Sequence, residues 1–168
     1  NKSAGTATLS GNIIINSDLS VQSGTLDLAT YTSNRSAAGG QLNISGGATL
    51  IAGGANNFPQ NYAIQTAATT STVHYNGTVA QTVAGITYGN LIFSYGGASA
   101  KTLNASSAVN GDITISSGAS VNASSYTINL GGNWSNAGTF VPATSTLVLN
   151  GISKTINGAT TFNEITVY

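Results

Sequence analysis

The sequence predicts an all-β protein, a parallel β-helix with essentially no α-helix. Three observations support this fold class. The apolar residues come in short runs of strand length, no window repeats them at helical spacing, and long internal repeats contain several strand-turn steps each. The same pattern allows antiparallel β-sandwich repeats. Small residues in place of a bulky core, and Thr, Asn and Ser at positions where they would stack in ladders, favour the β-helix.

The strands are predicted from alternating Ile, Val, Leu and aromatic residues between Gly, Asn and Ser. Asn-Gly pairs supply the positive φ angles that tight turns need, and they begin at Asn76, Asn110, Asn150 and Asn157. The chain is therefore expected to turn often. The predicted strands are residues 13–15, 26–28, 42–44, 50–51, 73–75, 91–93, 113–115, 128–130, 147–149 and 165–167.

A repeated block organises the chain. TSTVHYNG at residues 70–77 returns as TSTLVLNG at 144–151, and each copy has a similar tail. Upstream, GNIIINSDLSV from Gly11 resembles GDITISSGASV from Gly111. Residues 1–168 thus form one solenoid segment with two diverged long repeats, at about 11–94 and 111–168. Neither terminus carries a charged or proline-rich cap, so we expect the segment to continue into a longer protein.

The two repeats differ by insertions. Aligning Gly39 to Leu42 with Gly131 to Trp134 leaves a small insertion before that point and a larger one at about 53–69. We expect the larger insertion to project as a loop, and because it combines amides with aromatics it is the first candidate binding site. A tolerated loop without a ligand is the alternative. Its candidate residues are Asn56, Asn57, Phe58, Gln60, Asn61 and Tyr62. A second candidate, in the smaller insertion, contains Tyr31, Asn34 and Arg35.

Composition limits the partners. Charged residues make up 5% of the chain and the net charge is zero, so a site for nucleic acid or an anionic membrane is not expected. The absence of Cys and Met suits an extracellular protein. No apolar run is long enough for direct membrane insertion. The expected partners are glycans, polysaccharide or another cell-surface component, and neighbouring repeats of the same chain.

The sequence contains few side chains that could act as catalytic acids or bases. General acid/base hydrolysis needs two converging carboxylates, and each acid here interchanges with a neutral residue between the repeats. His74 is interpreted as a surface or edge histidine, and Trp134 as a core residue because Leu42 aligns with it. We therefore predict no catalytic residues, no metal site and no cofactor, although calcium binding by Asp and backbone oxygens stays open. The carboxylates are Asp18, Asp27, Asp112 and Glu164.

The order of several sequence words resembles a known repeat. NLIFS, KTL, VNGDITISSGASV, YTINLGGNWSNAGTF, TSTLVLNG and KTINGATTFNEITV are similar to the repeat region of very large secreted Bacteroidetes proteins, the adhesin-like or haemagglutinin-like chains that the type IX pathway exports. The resemblance covers about residues 85–168 well and the first half more loosely. It implies a surface-displayed β-solenoid used in cell adhesion. It implies no catalytic or ligand residues.

The sequence thus predicts a non-catalytic structural and adhesive segment of a bacterial cell-surface or secreted adhesin, a stalk that displays binding loops. The alternative is a carbohydrate-binding module that uses the Phe58 and Tyr62 loop. Ice binding by Thr-rich faces and a polysaccharide-degrading enzyme are further alternatives. The TST words occur once per long repeat, whereas an ice-binding face needs them in every coil.

Overall fold

The computed structural model describes residues 5–95 and 99–168, which form a parallel β-solenoid of eight coils. These residues contain 22 strands and no helix, and every ladder is parallel. The all-β solenoid prediction is confirmed, and the antiparallel sandwich is excluded. In chain order the strands are β1 (Thr6–Thr8), β2 (Ile13–Ile15), β3 (Leu19–Val21), β4 (Thr25–Asp27), β5 (Ser33–Arg35), β6 (Gly39–Ile44), β7 (Thr49–Ala52), β8 (Tyr62–Ala67), β9 (Thr72–Tyr75), β10 (Gln81–Val83), β11 (Thr87–Tyr88), β12 (Asn90–Phe93), β13 (Lys101–Leu103), β14 (Ser107–Val109), β15 (Ile113–Ile115), β16 (Ser120–Asn122), β17 (Thr127–Leu130), β18 (Trp134–Asn136), β19 (Thr139–Val141), β20 (Thr146–Leu149), β21 (Ile156–Asn157) and β22 (Glu164–Val167).

Each coil visits up to three faces in turn. The continuous face is one eight-stranded sheet, β1-β4-β7-β9-β12-β15-β18-β21. The second face consists of two sheets, β2-β5 and β10-β13-β16-β19. The third face also consists of two sheets, β3-β6-β8 and β11-β14-β17-β20-β22. In the part of the chain that the structure describes, only the continuous face runs through all eight coils without a break.

The core is a set of inward rows, because alternate residues of a strand point to opposite sides of its sheet. On the continuous face, register places one inward residue of each strand on the next. Fully burying one such side chain stabilises the fold by about 2 kcal/mol, and every member of the row except the half-buried Leu26 is buried. The row contains Leu26, Leu50, Val73, Leu91, Ile113 and Trp134. Trp134 is 1% exposed, so its predicted place in the core is confirmed.

The predicted stacking of like polar residues is present on the outside of the continuous face. Thr25, Thr49 and Thr72 are successive partners in the parallel register. On the third face Thr127 pairs with Thr146. In such ladders the threonine methyl and hydroxyl groups of neighbouring coils pack on one another.

The two sequence repeats lie on different faces. The first TST block contributes β9 to the continuous face, and the second contributes β20 to the third face. Leu42, in β6, and Trp134, in β18, likewise lie on different faces, so their alignment does not mark equivalent positions. Both are buried because the strands of both faces turn alternate residues into the same core. A repeat can therefore begin on any face.

The expectation that residues 53–69 project as a loop is wrong. Tyr62–Ala67 is strand β8, which pairs with β6. The residues before it belong to the third coil and stack on the second coil. The backbone N–H of Arg35 donates to the carbonyl of Gln60 at 3.1 Å, and the backbone N–H of Gly39 donates to the carbonyl of Asn61 at 3.1 Å. The smaller insertion is also built in, as β5. Backbone hydrogen bonds between coils hold both insertions in the stack.

Candidate functional site

The second face has no strand in the third coil, and the third face changes sheet between the third and fourth coils. We call this level of the solenoid the seam. On the second face, residues 53–61 stand where other coils have a strand. Side-chain amides supplement the backbone hydrogen bonds between coils there. Asn56 Oδ1 accepts the backbone N–H of Thr82 at 3.0 Å, and Asn34 Oδ1 accepts that of Gln60 at 2.9 Å. The coils stay attached at the seam, but the surface is no longer a flat sheet.

A groove of about 400 Å³ opens at the seam. Its volume lies in the range of small-ligand sites. Its apolar part comes from Phe58, Pro59 and Ala84. Its polar part comes from three successive coils and consists of Asn56, Gln60, Gln65, Thr82 and Asn104.

The groove is polar without being charged. None of its lining residues carries a charge. Within the described ranges, the side-chain amides of Gln60, Gln65 and Asn104 have no protein hydrogen-bond partner, whereas Asn56 uses its oxygen on Thr82. Each free amide offers two donors and one acceptor. The groove therefore presents hydrogen-bonding groups suited to an uncharged polar ligand.

Three of the sequence-predicted binding residues lie inside the solenoid. Asn57 is 1% exposed, and its Nδ2 donates to the carbonyls of Ala29 and Tyr31, each at 2.9 Å. Phe58 is 5% exposed and stacks on Tyr75, with ring centroids 6.1 Å apart.

The Tyr62 hydroxyl donates to the carbonyl of Ser33 at 2.9 Å, and burial raises the pKa of Tyr62. Tyr62 is 6% exposed. The predicted aromatic binding loop is therefore wrong, because Phe58 and Tyr62 pack into the core. Asn56, Gln60 and Asn61 are exposed, and of these Asn56 and Gln60 line the groove.

The second predicted site does not reach the groove. Arg35 is half-buried, and its guanidinium donates to the carbonyls of Asn16 at 2.7 Å and Ala37 at 3.1 Å. Tyr31 is also half-buried, and its carbonyl accepts a hydrogen bond from Asn57 Nδ2. Asn34 supports the seam through its side-chain oxygen. The guanidinium of Arg35 therefore forms hydrogen bonds within the solenoid, at a corner away from the groove.

A buried polar column that the sequence did not predict lies beside the continuous face. Gln81 Nε2 donates to the carbonyls of Ala52 at 2.8 Å and Gly54 at 2.9 Å. One coil further on, Lys101 is 0% exposed, and its Nζ donates to Gly77 at 2.9 Å and to the Tyr95 carbonyl at 3.2 Å. Burial lowers the pKa of Lys101. Its alternation with Thr102 and Leu103 in a strand was the only sequence signal for burial.

The carboxylates are used locally in hydrogen bonds. Nothing among the described residues brings three His, Asp or Glu side chains together as metal ligands. His74 Nε2 lies 2.7 Å from the Ser94 hydroxyl, and burial lowers the pKa of His74, as does the charge of Lys101. The carboxylate bonds are Asp18 to the N–H of Gln41, Asp27 to that of Ala29, Asp112 to that of Asn133, and Glu164 to the hydroxyl of Thr146.

The continuous face carries the threonine ladder but not a regular array. The ladder continues from Thr72 to Asn90, and the neighbouring outward row contains Asp27, Ile51 and His74.

The described residues include no helix long and apolar enough to span a bilayer.

Comparison of the chain with family models, curated proteins and solved structures gave no match. The fold and the site alone define the class, which is a parallel β-solenoid with an uncharged, amide-lined groove at an interruption of two of its faces.

Proposed function

We propose that the chain is a non-catalytic structural and adhesive segment of a bacterial cell-surface or secreted adhesin, acting as a stalk that presents binding surfaces. The observation that carries this proposal is the continuous face, eight parallel strands in one sheet. Its backbone hydrogen bonds run along the long axis of the solenoid. At about 4.8 Å per coil, the stack extends roughly 34 Å from the first strand to the last.

The surface chemistry supports an extracellular place for this stalk. The chain has no Cys and no Met to oxidise, and hydroxyl and amide groups rather than charges keep its surface wetted. The resemblance to secreted Bacteroidetes adhesin repeats gives the same location. A structural role is also compatible with the hydrogen bonds of the four carboxylates. Each accepts a hydrogen bond from a nearby backbone N–H or hydroxyl group, whereas hydrolysis needs two carboxylates that converge on one bond.

The adhesive part of the proposal is tested with beads that carry the chain. Beads are placed under flow on surfaces coated with neutral polysaccharide, anionic polysaccharide or matrix protein, and albumin-coated beads serve as the control. We expect retention on at least one surface above the albumin level, with no release of sugar fragments. Retention on none of them would overturn the adhesive role. Sugar fragments in the eluate would instead favour an enzyme.

A carbohydrate-binding module is the second candidate, and the groove at the seam is the observation in its favour. The version that relied on the rings of Phe58 and Tyr62 is excluded by their burial. In this second candidate function, we propose that the side-chain amides of the groove bind the carbohydrate instead.

A further inference from the structure

We infer that the groove at the seam binds a neutral saccharide. This inference rests on the proposed adhesive function, for which it supplies a ligand class and a site. It differs from the loop hypothesis because Thr82 and Asn104 lie outside residues 53–69 and reach the groove only through the stacking of coils, and because Gln65 is not among the candidate residues of that loop.

The uncharged lining selects the ligand class. A groove without Lys, Arg, Asp or Glu has no counter-charge for an anionic or cationic ligand. Gln60, Gln65 and Asn104 hold free donors and acceptors, and a side-chain amide can bind two neighbouring hydroxyl groups of one sugar ring at once. Ala84, which is half-buried, supplies apolar surface for the C–H side of such a ring, while the buried Phe58 and Pro59 form the floor of the groove beneath it.

The groove is preformed. Phe58 is fixed by its stack on Tyr75, and Asn56 is fixed by its bond to Thr82. Ala84 is held by its backbone N–H, which donates to the Tyr75 hydroxyl at 3.1 Å. A ligand would therefore order only the exposed amides, which lowers the entropic cost of binding.

The direction of the groove follows from the coils that form it. Asn56 to Gln65 belong to the third coil, Thr82 and Ala84 to the fourth, and Asn104 to the fifth. Three coils span about 10 Å along the solenoid axis. The groove has room for a short oligosaccharide rather than for one small molecule alone.

The lining also sets the affinity. No aromatic face is exposed in the groove, since Phe58 is 5% exposed, so hydrogen bonds that replace bonds to water supply most of the contacts. We expect a dissociation constant of about 1 mM for one groove. Useful adhesion would then come from many copies acting together on one polymer.

The test follows the side-chain amide signals of the ¹⁵N-labelled chain by NMR. The probes are cellopentaose, laminaripentaose, mannopentaose and chitopentaose, with trigalacturonate as the anionic comparison. We expect saturable shifts of the Gln60, Gln65 and Asn104 side-chain amides with at least one neutral probe, and weaker shifts with trigalacturonate.

Variants locate the binding. Gln65→Ala is expected to weaken binding about three- to tenfold, as the loss of one hydrogen-bonding side chain does. Thr82→Trp is expected to fill the groove and abolish binding while its backbone N–H still reaches Asn56. The controls are Asn129→Ala and Thr114→Trp, two outward positions in the sixth coil that do not line the groove.

The outcomes separate the two proposals. The inference is overturned if no neutral probe gives saturable shifts, if trigalacturonate binds more tightly, or if Thr82→Trp retains binding. Beads that stay attached equally well when coated with Thr82→Trp would leave the adhesive role standing and refute the groove. Loss of NMR binding and of bead retention in Thr82→Trp, but not in Thr114→Trp, is the expected result.

Discussion

At the scale of single residues, the interior of this solenoid is more polar than the sequence suggests. Gln81 and Lys101 occupy inward positions that hydrophobic residues fill in other coils, such as Val121, the register partner of Lys101. Their long side chains reach backbone carbonyls at the corner of the coil. Each therefore satisfies buried acceptors that an apolar residue would leave unpaired.

Lys101 makes the stability of the fold depend on pH. Burial lowers its pKa from the ordinary value of 10.5. Between the folded pKa and 10.5, the unfolded chain holds a proton that the folded chain has released, so the free energy of unfolding rises with pH. Lys101→Met removes this contribution. We expect the free energy of unfolding of the wild type, minus that of Lys101→Met, to increase with pH as 10.5 is approached.

Urea unfolding at several pH values measures this difference. Burial raises the pKa of Tyr75 to about 12 and raises that of Tyr88, so both tyrosines lower the stability of every variant above pH 10. Taking the difference removes that shared trend. Lys154→Met, which removes an exposed lysine, controls for the loss of one positive charge. A difference that stays constant with pH would contradict the assignment.

At the scale of elements, the sequence predicts ten of the strands from runs of apolar residues and misses others, among them strands built mainly from polar residues. Every predicted run overlaps a strand, but Ser33–Arg35, Gln81–Val83 and Lys101–Leu103 were not found, because Ser, Asn, Gln and Lys carry little strand signal. These strands form because the coils on either side offer backbone partners. That information is absent from any local window.

The candidate site was predictable only in part, for the same reason. Residues 56–60 are conspicuous in the sequence because they interrupt a repeat, but an interruption can be built into the stack, and Asn57 and Phe58 point inward. Gln65 and Asn104 lie 39 positions apart in the chain and become neighbours in the groove through coil stacking. Without the register of the coils, the sequence gives no reason to pair them.

Close approach of coils fixes particular glycines. Gly132 and Gly11 each precede an asparagine whose side-chain oxygen accepts a backbone N–H of the next coil, from Thr155 and Thr32 respectively. A Cβ at residue 132 would lie 2.1 Å from the Gly111 carbonyl oxygen, whereas a Cβ at residue 11 would have no atom within 4 Å. The two positions thus form a matched pair.

We expect Gly132→Ala to destabilise the fold by about 1–3 kcal/mol, because the coils must separate to admit the methyl group. Gly11→Ala is expected to be neutral or to stabilise by up to about 1 kcal/mol, since it only restricts the unfolded chain. Urea midpoints with unchanged slopes measure both effects. Equal midpoints for the two variants would show that the coils are not packed as closely as described.

At the scale of the whole molecule, the three faces have different roles: one is continuous and two are interrupted. The continuous face carries the stack through all eight coils, and this permits the other two faces to change sheet at the seam without dividing the solenoid. The groove opens where those two faces are interrupted. Different sides of one repeat architecture thus supply the stability of the solenoid and the proposed recognition surface.

The eighth coil leaves strand edges open. Among the described residues, β22 pairs with β20 alone, and Ile165 continues the inward row of Leu147, yet it is 42% exposed while Leu147 is 2% exposed. An open parallel edge with apolar residues can pair with another chain, and a net charge of zero does not oppose the encounter. We therefore expect the 168-residue chain to self-associate through this edge, with a weight-average mass that rises with concentration in sedimentation experiments.

Two substitutions that add the same charge test whether the edge is responsible. Ile165→Lys places an ammonium group in the open row and is expected to keep the chain monomeric. Val79→Lys replaces a side chain of similar exposure, 46%, at a corner of the fourth coil, and is expected to associate like the wild type. If Val79→Lys suppresses association equally, net charge rather than the edge controls it. A wild type that is monomeric at every concentration would show that the open edge does not recruit a second copy.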